Sequence, residues 1–249
     1  METIVFGDLG LLQWVLAVSV VVVGAAIQGV IGYGVALFSA PLLFLIHPTL
    51  VPAPLVLIGG ILPLMLLRAN ARHVVVRDLA WAWPGALLGA ALAYLVIGLL
   101  PLSAWQTLFG ALIVVAVVLS WVRLQVQPRG SVVFSGSLCA ATMGTITGVG
   151  GPPLGLAYQN ASPARVRGTL YAIFVPMSVM SLTALGMAGR FGWQDVALAA
   201  SLLPGVVLGL GVSRYLGHWI PLAAYRNLML GVALVAGGYT LVRGVVQWG

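Results

Sequence analysis

The stretch GTITGVGGPP, Gly144 to Pro153, decides how this chain has to be read. Four glycines and two adjacent prolines interrupt a long apolar run there. Glycine adopts φ > 0 without steric cost. Proline lacks an N–H and clashes with the preceding turn of a helix interior. A helix that reaches this point must stop. A new one can begin at Pro152, because a missing N–H costs nothing in a first turn. Inside hydrocarbon such a break is tolerated only where it lines a protein-buried or wet cavity, since every backbone polar group needs a partner.

Composition makes hydrocarbon the setting. The chain has 249 residues, of which 61% are hydrophobic and only 6% charged, with a mean hydropathy of +1.13. Soluble domains carry about 25% charged residues. Runs such as LLQWVLAVSVVVVGAAIQGVIG, from 11 to 32, reach the roughly 20 residues that span a bilayer as a helix. The fold class is therefore all-α, a polytopic integral membrane protein. The start, METIVFGDLG, has Glu2 and Asp8 and no basic residue, so it reads as the approach to a first membrane helix rather than a cleaved leader.

Apolar segments fall at 9–31, 35–46, 50–67, 79–98, 104–122, 131–147, 151–160, 168–188, 195–212 and 222–242. Segments 35–46 and 151–160 are too short to cross; at about 1.5 Å per residue they reach roughly halfway. Each follows a glycine cluster, GVIGYG before the first and GTITGVGG before the second.

The chain also repeats itself. Pro84, Gly85, Leu88, Gly89, Pro101, Leu102 and Ala104 recur 120 residues later as Pro204, Gly205, Leu208, Gly209, Pro221, Leu222 and Ala224. The glycine breaks recur 116 residues apart, Gly32 and Gly34 with Gly148 and Gly150. Two halves are expected, 1–125 and 126–249, each a Gly-broken helix pair followed by three spanning helices. Five segments per half is an odd number, so the second half is inverted relative to the first if each broken pair returns to its own side. All eleven basic residues are arginines. The inverted arrangement puts nine on one side and leaves only Arg190 and Arg243 on the other. A parallel arrangement, with each pair crossing once, divides them seven to four. The positive-inside bias favours inversion, with loops 68–78, 123–130 and 213–221 cytoplasmic and both termini outside. Inverted repeats with broken helices recur among transporters.

Other function classes fit poorly. The net charge of +7 reads as cytoplasmic loop charge and contact with the lipid bilayer, not as a nucleic-acid surface. Cys139 is alone. His47, His73 and His218 are far apart and lack neighbouring carboxylates, so no metal is expected. No serine stands in a motif with a nearby histidine, so the chain does not read as an enzyme, and no cofactor is implied. A broken helix, by contrast, exposes N–H groups with partial positive charge at its new N-terminus. That end binds anions. A substrate site is expected near the midplane between Gly32–Gly34 and Gly148–Gly151, held mainly by backbone N–H groups. Gly85 and Gly89 read as helix-packing positions.

GAAIQGVIGYGVALFSAP and GTITGVGGPPLGLAYQNASPARVRGT, together with the repeated PG…LG…LP units, resemble the sulfite exporter TauE/SafE family over nearly the whole chain. The resemblance implies a small permease, an exporter by the family's name, for sulfur-containing anions such as sulfite, sulfoacetate or other organosulfonates. Import of the same or another small anion and a non-transport membrane subunit are the alternative readings. It places the family's glycine-rich segments on Gly29, Gly32 and Gly34 and on Gly144, Gly148, Gly150 and Gly151. The family's basic-then-small stretch falls on Arg165, Arg167, Gly168 and Thr169. One departure is that the first break carries Tyr33 and no double glycine, so the two half-sites need not be equivalent. The implied setting is the cell membrane, the bacterial inner membrane in a prokaryote.

Individual residues keep two readings. Gln28, Gln159 and Asn160 either donate to a substrate oxygen or pair freed carbonyls. Thr142, Thr145 and Thr147 either bind substrate or bond back to their own helix. Arg165 and Arg167 either attract anions at the cytoplasmic mouth or hold a loop inside. Tyr33 and Tyr158 are gates or packing aromatics; Met177, Met180 and Met187 read as packing. No carboxylate is expected in mid-span, since Asp78 and Asp195 both sit at helix ends. Glycine-rich outer faces permit a homodimer.

Overall fold

A computed structural model describes residues 4–6, 9–99, 102–122, 126–216 and 222–246. Glu2, Asp8, Arg123 and His218, and with them parts of the loops 123–130 and 213–221, lie outside the described residues. Among the described residues a short antiparallel ribbon, β1 (Ile4–Phe6) and β2 (Leu9–Gly10), precedes ten α-helices. The first half of the chain forms α1 (Leu11–Ile31), α2 (Val35–Ile46), α3 (Ala53–Asn70), α4 (Val76–Leu99) and α5 (Leu102–Trp121). The second forms α6 (Gly130–Thr147), α7 (Gly151–Ala157), α8 (Pro163–Met187), α9 (Trp193–Leu216) and α10 (Leu222–Val246). Eight of the helices are long and apolar enough to cross a membrane. The 12-residue α2 and the 7-residue α7 are not. The chain is a multi-pass membrane protein whose membrane-crossing elements are all helices.

Size, not hydrophobicity, separates inside from outside. On α4 the buried face is Ala82, Ala86, Ala90 and Ala93, while Leu87, Leu88 and Leu95 are exposed. Lipid tails solvate leucine as well as a protein core does, so helices associate where small residues let backbones approach. The repeated glycines serve this. A Cβ at Gly85 would strike the carbonyl oxygen of Phe134 on α6, and one at Gly89 that of Leu138, with Ala141 Cβ at 2.9 Å. On α9, a Cβ at Gly205 would lie 2.9 Å from the Val18 carbonyl of α1, and one at Gly209 would strike that of Val22, with Ala25 Cβ at 2.7 Å. The glycines are 120 residues apart and their partners 116. Thr142 Oγ1 donates to the Gly89 carbonyl at 3.0 Å and fastens the α4–α6 seam.

These contacts fix directions. Residue numbers rise together along α4 and α6, and along α9 and α1, so each of these pairs is parallel. Along α5 and α10 they oppose: Gly110 meets Leu241, Ile113 meets Gly237 and Thr107 meets Gly244. Along α3 and α8 they oppose again, with Gly60 beside Ser178, Asn70 beside Gly168, and the Val75 N–H donating to Thr169 Oγ1 at 3.1 Å. Exchanging α1–α5 with α6–α10 turns the α1–α9 contact into α6–α4, α3–α9 into α8–α4 and α2–α10 into α7–α5. The α3–α8 and α5–α10 contacts turn into themselves.

Both broken pairs fold back as hairpins. Ser39 Oγ of α2 donates to the Val20 carbonyl of α1 at 3.4 Å, and Gln13 Nε2 reaches the Ile46 carbonyl at 3.5 Å. In the second pair Gly136 of α6 faces Pro153 and Ala157 of α7.

Candidate functional site

The two breaks are made by glycine conformation. Gly32 and Gly34 have φ of 102° and 123°, and Gly148 has φ of 81°. In each case the helix closes with a left-handed glycine, as helix C-termini commonly do. The Gly32 N–H donates to the Gln28 carbonyl at 2.8 Å, and the Gly148 N–H to the Gly144 carbonyl at 2.7 Å. The segments that follow the two breaks are held differently. At α2, Gln28 Oε1 accepts from the Val35 N–H at 3.2 Å. After Gly148, Thr147 Oγ1 accepts from the Val149 N–H at 3.1 Å while donating to the Met143 carbonyl at 2.8 Å. Pro152 and Pro153 bring no N–H to the first turn of α7.

A cavity of about 60 Å³ lies between the breaks. The first break lines it with Gln28, Tyr33, Gly34, Val35, Ala36 and Leu37. The second contributes Gly144, Gly148, Gly150 and Gly151. Val56 and Gly59 of α3 and Phe174, Met177, Ser178 and Ser181 of α8 complete the wall. None of these side chains carries a charge. The first N–H groups of a helix have no intrahelical partner and bear partial positive charge. Those of Ala36 and Leu37 belong to residues that line the cavity. Tyr33 lies along the glycine face of α7: a Cβ at Gly151 would sit 3.0 Å from its Cδ2, and one at Gly155 2.7 Å from its Cζ.

Of the candidate substrate residues, Gln28, Tyr33, Gly34, Gly148, Gly150 and Gly151 meet at this cavity. Gly29 faces Ser213 of α9, and Gly32 lies against the Arg167 side chain. Thr145 is wholly buried and bonds Ser181 at 2.8 Å, one layer behind the cavity wall. Thr147 closes the local turn, and Asn160 donates to the Val126 carbonyl at 2.9 Å. Of the two arginines expected at the cytoplasmic mouth, Arg165 pairs with Asp78 at 3.0 Å. Asp78 is only 7% exposed and also accepts from the Tyr158 hydroxyl at 2.8 Å. This network ties the start of α4, the end of α7 and the first turn of α8, and it neutralises much of the Arg165 charge.

Sequence reasoning passed over Gly59, Ser178 and Ser181, and gave Met177 to packing alone. The missed signal is a helical stripe: Phe174, Met177, Ser178 and Ser181 recur at the i, i+3, i+4, i+7 spacing of one face. Two serines on that face of an apolar helix are the polar mark.

An uncharged cavity built on two helix breaks, inside a bundle of apolar spans, defines a membrane transporter of the broken-helix class. A family model described as Sulfite exporter TauE/SafE matches residues 16–240. The chain belongs to the TauE/SafE sulfite exporter family. No curated protein and no solved structure gives a match.

Proposed function

We propose that this transporter exports small sulfur oxyanions, sulfite foremost, across the cell membrane by alternating access around the cavity between the breaks. The observation that carries the reading is the cavity itself: backbone from both breaks lines it, and no charged side chain does. The N-terminus of α2 then supplies the attraction, acting as about half a charge. Binding of that strength suits a carrier, which must release what it holds.

Size argues for a compact anion. A cavity of ~150 Å³ admits benzene. One of about 60 Å³ suits a sulfur with three oxygens better than a sulfonate on a carbon chain. Sulfoacetate and other organosulfonates rank below sulfite on this ground.

The halves 1–125 and 126–249 are read as inverted repeats. Equivalent helices α3 and α8 run antiparallel, as do α5 and α10. Halves of the same orientation would make both pairs parallel. A cysteine placed at Ala71, in a Cys139-free background, should label from the cytoplasmic side. Strong labelling from outside would contradict the inverted arrangement.

Direction follows from charge. An inside-negative potential drives an anion outward with about 2.3 kcal/mol per charge per 100 mV. Among the described residues the carboxylates are Asp78, paired at a helix end, and Asp195, half-buried at the start of α9 where it accepts from the Gly192 N–H. Neither offers a mid-span proton site. Sulfite flux from proteoliposomes should follow the membrane potential without a pH gradient and should exceed sulfoacetate flux. Flux that stops when the pH gradient is removed would overturn the uniport reading.

A further inference from the structure

We propose that Ser181 of α8, oriented by Thr145 of α6, is a substrate-binding hydroxyl that donates a hydrogen bond to one oxyanion oxygen, opposite the amide of Gln28. The inference deepens the sulfur-oxyanion reading and rests on it.

Proton accounting leads to Ser181. Thr145 has 0% exposure, and its Oγ1 lies 2.8 Å from Ser181 Oγ. A buried hydroxyl whose proton has no acceptor is costly. Thr145 therefore donates, and Ser181 accepts. The Ser181 hydroxyl must then send its own proton elsewhere, and the residue lines the cavity. Ser178, one turn earlier on the same face, is arranged the other way. Its Oγ donates to the Val175 carbonyl at 2.7 Å, which leaves lone pairs rather than a proton. So of the two serines in the wall, only Ser181 is set to donate.

The same accounting orients Gln28. Its Oε1 is held by the Val35 N–H. The amide must then turn its Nε2 hydrogens away from that bond, and Gln28 is a cavity residue with 3% exposure. One donor thus comes from α1 of the first half and one from α8 of the second. An anion that accepts from both is bound most tightly when the two halves are close. That is the differential affinity a carrier needs if substrate is to shift it between conformations.

The test is sulfite transport by S181A, T145V and S181T in proteoliposomes, with thermal stabilisation of the detergent-solubilised proteins by sulfite. T183V is the control, since Thr183 is an exposed hydroxyl on the same helix that bonds the Val179 carbonyl. Hydrogen bonds to a charged partner are the stronger kind. S181A should therefore raise KM for sulfite about tenfold or more and weaken stabilisation by sulfite in parallel. Because it also leaves the buried Thr145 hydroxyl without its acceptor, it should lower the ligand-free melting temperature. The double variant T145V/S181A, which removes both hydroxyls, should recover that melting temperature while KM stays raised. T145V should show a smaller rise, because Ser181 keeps its proton but loses its orientation. S181T, which keeps the hydroxyl, should recover most of the loss, and T183V should match the wild type. Wild-type KM in S181A would overturn the role of the hydroxyl while leaving sulfite transport standing. So would a loss confined to kcat that accompanies a lower ligand-free melting temperature. Wild-type protein that neither moves sulfite nor is stabilised by it would overturn both the inference and the reading beneath it.

Discussion

The two helix breaks have the same backbone outline and different chemistry. At the first, Gly32-Tyr33-Gly34, a side chain four residues upstream of the break, Gln28, caps the next helix. The position 116 residues on is Gly144, which has nothing to cap with. There the turn is closed by Thr147, the last residue of α6, and the two prolines remove N–H groups that would otherwise need partners. The first break thus keeps spare donors: the Gln28 amide and the leading N–H groups of the 12-residue α2. The second supplies mainly room, through Gly144, Gly148, Gly150 and Gly151 at the cavity wall. Its donor is borrowed from α8. The two breaks recur 116 residues apart in the chain without having equal roles, and Tyr33 shows the same asymmetry. Its ring rests on Gly151 and Gly155, while the matching pair in the first half is Val35 and Ser39.

The largest effect expected of this difference is on folding. Gly34 has φ of 123°, and a Cβ there would meet Met229 Sδ at 2.7 Å. Gly148 has φ of 81°, inside the left-handed region that other residues reach at a cost of roughly 1–2 kcal/mol. Its nearest neighbour is a leucine side chain, Leu55 Cδ2, at 3.0 Å. Gly34→Ala should lower the melting temperature more than Gly148→Ala. An equal or reversed order would mean that the breaks are equally strained.

Next come the caps. Gln28→Leu removes both the cap of Val35 and a donor to the cavity, so it should lower thermal stability and also raise KM for sulfite. Thr147→Val removes only the hydrogen bond of the turn to the Val149 N–H, worth about 1 kcal/mol. It should lower stability with KM unchanged. A raised KM in T147V would assign a binding role to the turn of the second break as well. The smallest effect concerns the Asp78 network. Arg165 is about one-third exposed, at 35%, so solvent screens its charge. Asp78→Asn, which weakens the bonds to both Arg165 and Tyr158, should lower the melting temperature more than Arg165→Gln.

Much of this architecture could be read from the chain. The segment expected at 35–46 is α2, Val35–Ile46. The one expected at 151–160 ends earlier, at Ala157, because the Tyr158 N–H closes the turn on the Leu154 carbonyl. The segment expected from residue 9 starts at Leu11, since Leu9 and Gly10 pair with β1. The 116- and 120-residue offsets reappear as equivalent backbone contacts, because close packing in lipid depends on where glycine stands. Partnerships across the fold left no local trace. Asp78 and Arg165 are 87 residues apart, and each alone looks like a helix-end charge. Ser181 looks like any serine bonded within an apolar helix; only Thr145, brought in by α6, gives its proton a direction.

The central claim is that substrate passes through the cavity between the breaks, and Gly59 offers the most direct test. It lines the cavity, lies within α3, and a Cβ there would meet nothing within 4 Å. Gly150 is a less clean probe, because a Cβ at that position would lie 2.8 Å from the Ala140 carbonyl. Gly59→Val puts a side chain into the cavity at a position where the added Cβ meets nothing. Gly211→Val, at an exposed glycine of α9 with equally open surroundings, makes the same chemical change away from it. Sulfite flux should be lost in folded G59V and preserved in G211V. Wild-type flux through folded G59V protein would place the pathway elsewhere and reduce the two breaks to packing seams.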